Sequence, residues 1–226
     1  MFETLIAADH ALAQALNAAA GRTVGLDLVL GSFVRLPLLK GAVLMAVFWG
    51  LWAAQPRQRP DLVAVLAIAS LGVAVARVLA AALPFRDRPL HLLRLDIRPP
   101  YGQSPQFLDG WSSFPSDHAL FFTALAAGFI IVNRPVGLAV LGYVLTFILL
   151  PRIYAGLHYP SDILAGMALG AGMVAVVIQP LTRLVTPLVK KAEARPFLPT
   201  AFLFVVTFEA ATLFLNTRIL LGLIGG

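Results

Sequence analysis

The stretch DLVAVLAIASLGVAVARVLAAAL, residues 61–83, decides the class of this protein. Between Leu62 and Leu83 the only charged residue is Arg77. A run of roughly 20 mostly apolar residues is long enough to cross the hydrocarbon core of a bilayer. Similar stretches, shorter or interrupted by charge, cover 38–54, 118–132, 136–150, 161–178 and 198–224. We therefore predict an all-α, polytopic transmembrane helical bundle of about six spans.

The composition agrees with a membrane protein. Hydrophobic residues make up 59% of the 226 residues and charged residues only 12%, with a mean hydropathy of +0.86. These values exclude a water-soluble globule and a disordered chain, and the lack of cysteine excludes disulfides and thiolate chemistry. The net charge is +6, with arginines between the apolar runs. We expect the bilayer and a phosphorylated lipid as partners, and no nucleic acid.

Three parts of the chain are distinguished by their patterns. Residues 1–36 have apolar residues at helical spacing with polar interruptions, which favours an N-terminal helix lying in the membrane interface. Residues 37–180 form the core, with five spans and the active-site loops. Residues 181–226 contain a basic link and the last span. There Glu209 and Arg218 are costly in lipid, and structural pairing with other helices is favoured over headgroup selection.

The sidedness of the bundle follows from its connections. The polar loop 84–117 and the link 151–160 lie on one side when the spans are counted. The links 55–60, 133–135 and 179–197 share the other side and carry seven Lys or Arg residues with one acidic residue. This imbalance favours a cytoplasmic location for these links. We therefore expect the active site on the non-cytoplasmic face of a bacterial inner membrane.

The tripeptide Pro-Ser-Asp occurs twice, at 115–117 and 160–162, each time at the start of an apolar run. Proline suits the first position of a helix, and the free N–H groups of a first turn attract anions. Arg86, Arg88 and Arg152 lie in the adjoining polar segments and can each hold two phosphate oxygens. The pattern predicts a phosphate site.

Two histidines adjoin these helix ends. His118 follows the first Pro-Ser-Asp, and His158 precedes the second. Asp162 lies four residues after His158, close enough to accept a hydrogen bond from one ring nitrogen and leave the other free to attack. A nucleophilic histidine and a second one that protonates the leaving oxygen fit phosphoryl transfer through a phosphohistidine.

Together these residues resemble the signature of the type-2 phosphatidic acid phosphatase family, whose members share a site with vanadium haloperoxidases. The family pattern is a basic residue before Arg-Pro, then Pro-Ser-Gly-His, then Ser-Arg-x5-His-x3-Asp. The matching residues are Arg88 and Pro89, then Pro115, Ser116 and His118, and last Arg152, His158 and Asp162. The resemblance covers residues 77–180 and is greatest to the integral-membrane branch.

The chain departs from the family pattern at three positions. Asp117 replaces the glycine, and Pro151 replaces the serine before Arg152. The lysine of the family would fall on Ala81, and Arg77, one helical turn deeper, is its candidate substitute.

The resemblance implies a lipid phosphatase that uses no metal and no other cofactor. It assigns His158 as the nucleophile, Asp162 as its orienting partner and His118 as the general acid. The implied phosphate-binding residues are Arg88, Arg152 and Ser116, with Arg77 and Asp117 as further candidates. Arg86 either pairs with Asp87 or binds substrate, and pairing is slightly favoured.

The expected substrate is a phosphomonoester or diphosphate of a membrane lipid. Undecaprenyl diphosphate is favoured, because the short N-terminal segment with Asn17 and Asp27 resembles small bacterial polyprenyl-diphosphate phosphatases. Phosphatidate and phosphatidylglycerol phosphate are the alternatives. A vanadate-dependent haloperoxidase is disfavoured by the membrane composition. A non-hydrolytic lipid-binding or transport protein is a further alternative, although binding alone needs no oriented imidazole.

Overall fold

The structure, a computed structural model, describes residues 2–215 and residue 217. Arg218 and the C-terminal end of the predicted last span lie outside the described residues. The fold is all-α, as predicted. Its helices are α1 (Phe2–Asn17), α2 (Val24–Arg35), α3 (Val43–Ala54), α4 (Arg59–Ala82), α5 (Asp117–Val132), α6 (Arg134–Tyr143), α7 (Leu150–Tyr154), α8 (Pro160–Glu193) and α9 (Phe197–Ala211). Wide π-type turns over Leu38–Ala42 and Val144–Leu149 lead into α3 and α7.

Three helical segments are long and apolar enough to cross a membrane, namely Pro56–Ala82, Arg134–Tyr154 and Pro160–Glu193. Helix α2 and the segment Leu38–Ala54 pass the same test as a pair, but are bent by 70° where they meet. The described residues therefore contain three or four candidate spans, fewer than predicted. Helices α5 and α9 are apolar but have only 16 and 15 residues.

The centre of the bundle is formed by α4, α5 and α8. Phe121, Phe122 and Phe129 of α5 are at most 1% exposed. Helix α8 approaches α5 closely, because a Cβ atom on Gly166 would lie 2.5 Å from the carbonyl oxygen of Ser116, and one on Gly170 would lie 2.3 Å from that of Leu120. Only glycine fits at these two crossings, which place the first turn of α8 beside the first turn of α5.

The predicted link over 179–197 is wrong over most of its length, because α8 continues to Glu193 through Pro180 and Pro187. Leu181, Val185 and Val189 continue the helical apolar spacing and keep packing against the bundle or within it. This burial maintains the helix although each proline removes one backbone hydrogen bond.

The N-terminal segment packs on the core. Asn17 at the end of α1 donates hydrogen bonds to the carbonyl oxygens of Tyr154 (2.7 Å) and Arg98 (2.8 Å). Asp27 of α2 is fully buried and accepts a hydrogen bond of 2.5 Å from the Tyr154 hydroxyl. Helices α1 and α2 are thus attached to the loop 84–117 and to α7. The interfacial position of α1 stays a prediction.

Candidate active site

His158 lies in the short link between α7 and α8. Gly156, with a φ of 68°, turns the chain after α7, and Pro160 begins α8. The His158 ring is 3% exposed, with Nδ1 2.9 Å from the carbonyl oxygen of Ser113 and Nε2 3.3 Å from Oγ of Ser116. A carbonyl oxygen only accepts, which assigns the ring proton to Nδ1 and leaves the lone pair on Nε2.

Asp162 takes a different place from the predicted one. Its Oδ2 is 3.6 Å from Nδ1 of His158, beyond hydrogen-bond distance, and accepts instead from the backbone N–H of Tyr159 at 2.8 Å. The helix start competes for this carboxylate, because Asp162 is the third residue of α8 and caps its N-terminus. The direct acceptor for His158 is therefore Ser113, with the charge of Asp162 close by.

The environment of His158 favours a neutral ring. Burial lowers the pKa of His158, and the nearby Asp162 only partly opposes this effect. Neutral imidazole is the form that has a free lone pair, so the ring is held in its nucleophilic state.

Arg88 and Arg152 are buried cations beside His158, with 4% and 3% exposure. Arg88 donates to the carbonyl oxygens of Leu157 (2.7 Å), Trp111 (3.1 Å) and Ser112 (3.2 Å). Burial lowers the pKa of Arg88 to about 10, which still leaves it charged at neutral pH. Nε of Arg152 has no hydrogen-bond partner among the residues that the structure describes. Neither guanidinium has a carboxylate within 4.0 Å in the described part of the chain, so both can receive an anion.

His118 and its partners form the opposite wall. Ser116 is the N-cap of α5, and Asp117 and His118 form its first turn. Nδ1 of His118 is 2.8 Å from Oδ1 of Asp117, and Oδ2 of the same carboxylate is 2.5 Å from Nη2 of Arg77. Asp117, which replaces the family glycine, thus holds the His118 ring, and Arg77 neutralises the added charge.

These groups surround a cavity of about 460 Å³. Six of the predicted site residues line it: Arg77, Arg88, Asp117, His118, Arg152 and His158. Ser116 reaches it through its contact with His158, and Asp162 lies behind that ring. Sequence reasoning missed Lys40 and Arg35, which line the same cavity. The available signal was a lysine placed at the start of an apolar run.

Arg86 stands apart from the cavity. It pairs with Asp9 of α1 and with Asp162, both at 2.6 Å, and not with Asp87. The predicted pairing of Arg86 with Asp87 is therefore wrong, and its ion pairs join α1 to the start of α8 instead. Asp9 also accepts from the N–H and hydroxyl of Ser161, at 2.9 and 2.6 Å.

The donor set of the cavity suits an anion better than a metal ion. Over residues 2–215 and 217, no three His, Asp or Glu side chains are grouped as metal ligands. Guanidinium and imidazole groups predominate, and these neutralise and hydrogen-bond phosphate oxygens.

Comparison with known proteins agrees with this geometry. Residues 83–185 match the PAP2 superfamily. The PAP2 region contains every predicted site residue except Arg77, while Lys40 and Arg35 also lie outside it. It includes both histidines and both buried arginines of the cavity wall.

Two curated proteins are similar to this chain over part of its length. The chain is 36% identical over 125 residues to the decaprenylphosphoryl-5-phosphoribose phosphatases of Mycobacterium tuberculosis strains CDC 1551 / Oshkosh and ATCC 25618 / H37Rv. The match covers 55% of this chain and 63% of each relative, so the chain spans less than two thirds of their length. No solved structure matches the chain.

Proposed function

We propose that this integral membrane protein is a phosphatase that removes a terminal phosphate from the head of a polyprenyl lipid. The observation that carries the proposal is the placement of His158 and His118 in one cavity with two buried arginines. Among the described residues no carboxylate lies within 4.0 Å of either arginine. A nucleophile, a proton donor and anion ligands are the groups that phosphoryl transfer requires.

In the first step, Nε2 of His158 attacks phosphorus while Nδ1–H stays hydrogen-bonded to Ser113. The P–N bond forms as the P–O bond to the lipid head breaks, and His118 gives a proton to the leaving oxygen. Arg88 and Arg152 neutralise the phosphoryl oxygens. The Ser116 hydroxyl, which contacts Nε2 without substrate, turns to donate to one of these oxygens.

In the second step, water attacks the phosphohistidine. His118 takes a proton from this water, the P–N bond breaks, and the electron pair returns to Nε2 of His158. Inorganic phosphate leaves, and both histidines are restored. The two steps balance without any added oxidant or metal.

The lipid class is supported by the relatives and by the surroundings of the site. The relatives are named for a polyprenyl-linked phosphosugar, decaprenylphosphoryl-5-phosphoribose. Undecaprenyl diphosphate, the substrate favoured by the sequence, shares its polyprenyl tail, its terminal phosphate and a second phosphate. We place the site on the non-cytoplasmic face, because the basic links 55–60 and 133–135 adjoin the helix ends opposite the cavity.

The test is phosphate release by the full-length protein purified in detergent, with EDTA present. The substrates are a polyprenyl phosphosugar, undecaprenyl diphosphate, phosphatidate and phosphatidylglycerol phosphate. We expect release from the polyprenyl substrates to fall at least about 1000-fold in His158→Ala, because the nucleophile is lost.

The matched control is His91→Ala, since His91 lies outside the cavity, and its activity should equal that of the wild type. Hydrolysis of only the glycerol-based lipids would overturn the lipid class. Binding of all four lipids without phosphate release would instead identify a lipid-binding or transport protein.

A further inference from the structure

The break between α2 and α3 places a cation in the cavity. Helix α2 ends at Arg35, helical structure resumes at Leu38, and the two segments differ in direction by 70° around Pro37. Val34, Arg35, Pro37 and Lys40, which lie at this break, all line the active-site cavity.

Contacts with three parts of the chain hold the break in place. Lys40 donates from Nζ to the carbonyl oxygen of Val34 at 2.7 Å. The Tyr143 hydroxyl donates to the carbonyl oxygen of Leu39. Gly41 packs so tightly on the end of α9 that an added Cβ would lie 1.9 Å from the carbonyl oxygen of Ala211. The Lys40 side chain is therefore positioned on a fixed backbone.

The amino group of Lys40 is available to a ligand. An ammonium group has three N–H donors, and the Val34 carbonyl uses one of them. No carboxylate lies within 4.0 Å of Nζ in the described residues. Arg35 lines the same cavity and donates a long hydrogen bond of 3.4 Å to the carbonyl oxygen of Tyr101.

The cavity has more cations than one phosphate group requires. Five Lys or Arg side chains line it among the described residues, against one carboxylate, that of Asp117. Arg88, Arg152 and the two histidines are sufficient for the phosphate that reacts. Lys40 and Arg35 add positive charge from a different segment, outside the PAP2 match.

We propose that Lys40, assisted by Arg35, binds the second phosphate of the substrate, the one that joins the polyprenyl chain to the head. The proposal rests on the proposed function and names the feature that selects substrates with two phosphates. The second phosphate is a diester in a polyprenyl phosphosugar and part of a diphosphate in undecaprenyl diphosphate. Both offer anionic oxygens beyond the phosphorus that is attacked, across one bridging oxygen in the diphosphate and across the sugar in the phosphosugar.

The test compares a polyprenyl diphosphate with a polyprenyl monophosphate of the same chain length. In Lys40→Gln we expect kcat/KM for the diphosphate to fall by roughly 10- to 100-fold, since hydrogen bonds to charged groups are among the strong ones. We expect a change of less than about threefold for the monophosphate, which lacks the second group. Lys40→Arg should restore most of the activity on the diphosphate. A polyprenyl phosphosugar, tested as a third substrate, shows whether Lys40 acts on the diester phosphate of a phosphosugar or on the second phosphate of a diphosphate.

The control is Lys190→Gln, the same substitution at an exposed lysine near the end of α8. Equal losses on both substrates would overturn the proposal, because Lys40 would then act on the reacting phosphate, and so would no loss on either. Dissociation constants measured in a His158→Ala background provide a readout without turnover. If the wild type hydrolyses neither lipid but Lys40→Gln still weakens diphosphate binding alone, the proposed function fails and the second-phosphate site stands.

Discussion

The aspartate that replaces the family glycine has a defined position beside the general acid. Asp117 contacts Nδ1 of His118 at 2.8 Å and is neutralised by Arg77. A carboxylate on one nitrogen orients the ring and stabilises the imidazolium that forms when the other nitrogen takes a proton from water. Asp117 thereby acts through His118, as a positioning residue for the proton donor.

Substitution of Asp117 tests this role. In Asp117→Asn the ring keeps an oxygen acceptor but loses the negative charge, so we expect kcat to fall about 10- to 100-fold. The basic limb of the pH profile of kcat should also move to lower pH, because the imidazolium form of His118 is less stable without the carboxylate. Steady-state kinetics over pH measure both effects.

The control for this substitution is Asp109→Asn, at a side chain that is 74% exposed in the loop. Unchanged kcat and an unchanged basic limb in Asp117→Asn would show that the aspartate only fills space.

The nucleophile predicts the acid side of the pH profile. Burial lowers the pKa of His158 below its usual value of 6.5, and Asp162 opposes the shift. The ring is reactive only when neutral, so activity is lost as pH falls through this lowered pKa. We expect the acid limb of kcat/KM below pH 6.5.

In Asp162→Asn the acid limb should move further down, because the charge that raises the His158 pKa is removed. A limb at or above pH 6.5 in the wild type, or an upward shift in the variant, would contradict this assignment. The pH profile of kcat/KM must therefore be measured well below pH 6.5.

At the residue scale, the sequence was informative where reacting groups adjoin each other in the chain. His158 and Asp162 are neighbours at the start of α8, and Ser116 and His118 are neighbours at the start of α5. The short spacing in the chain brings each pair to its own helix end. The hydrogen bond from His158 to the carbonyl of Ser113 was not predictable, since any residue type offers that acceptor. Lys40 was missed because its place in the cavity depends on contacts with residues far away in the chain, Tyr143 and Ala211, which hold the break between α2 and α3.

At the scale of elements, α1 is attached to the start of α8 through one carboxylate. Asp9 accepts from Arg86 and from two groups of Ser161, next to the Asp162 that neighbours His158. In Asp9→Asn only one oxygen remains and the ion pair is lost. We expect a loss of about 1–3 kcal/mol, which lowers the melting temperature by several degrees, together with lower activity.

Thermal unfolding in detergent and phosphate release measure these two effects. Glu3→Gln, at an exposed position of the same helix, is the matched control. Identical melting temperatures and activities for the two variants would mean that α1 does not support the active site.

The helices also show where pattern reading failed. Prolines and basic residues after Ile178 suggested a link, whereas buried contacts of Val185 and Val189 maintain one helix to Glu193. The apolar run 118–132 gave α5 to within one residue, whereas α9 ends at Ala211, inside the predicted run 198–224. All-α class and the position of the polar loop depended on composition alone, and both are confirmed.

At the scale of the whole molecule, the cavity combines two sources. The PAP2 region supplies the histidines and the buried arginines, while the segment before it supplies Lys40, Arg35 and Arg77. Chemistry and substrate selection are thus assigned to different parts of the chain. Relatives that share the PAP2 region but differ in the preceding segment are expected to share the reaction and differ in the lipid head.

The shortness of α5 has a consequence for the depth of the site. Its 16 residues span about 24 Å, against a hydrocarbon core of about 30 Å. Most of α5 is buried inside the bundle, so this difference is taken up by protein and not by lipid. Because α5 begins at the cavity, His118 is expected to lie below the level of the lipid heads, and a phosphate head has to move inward to reach the buried nucleophile.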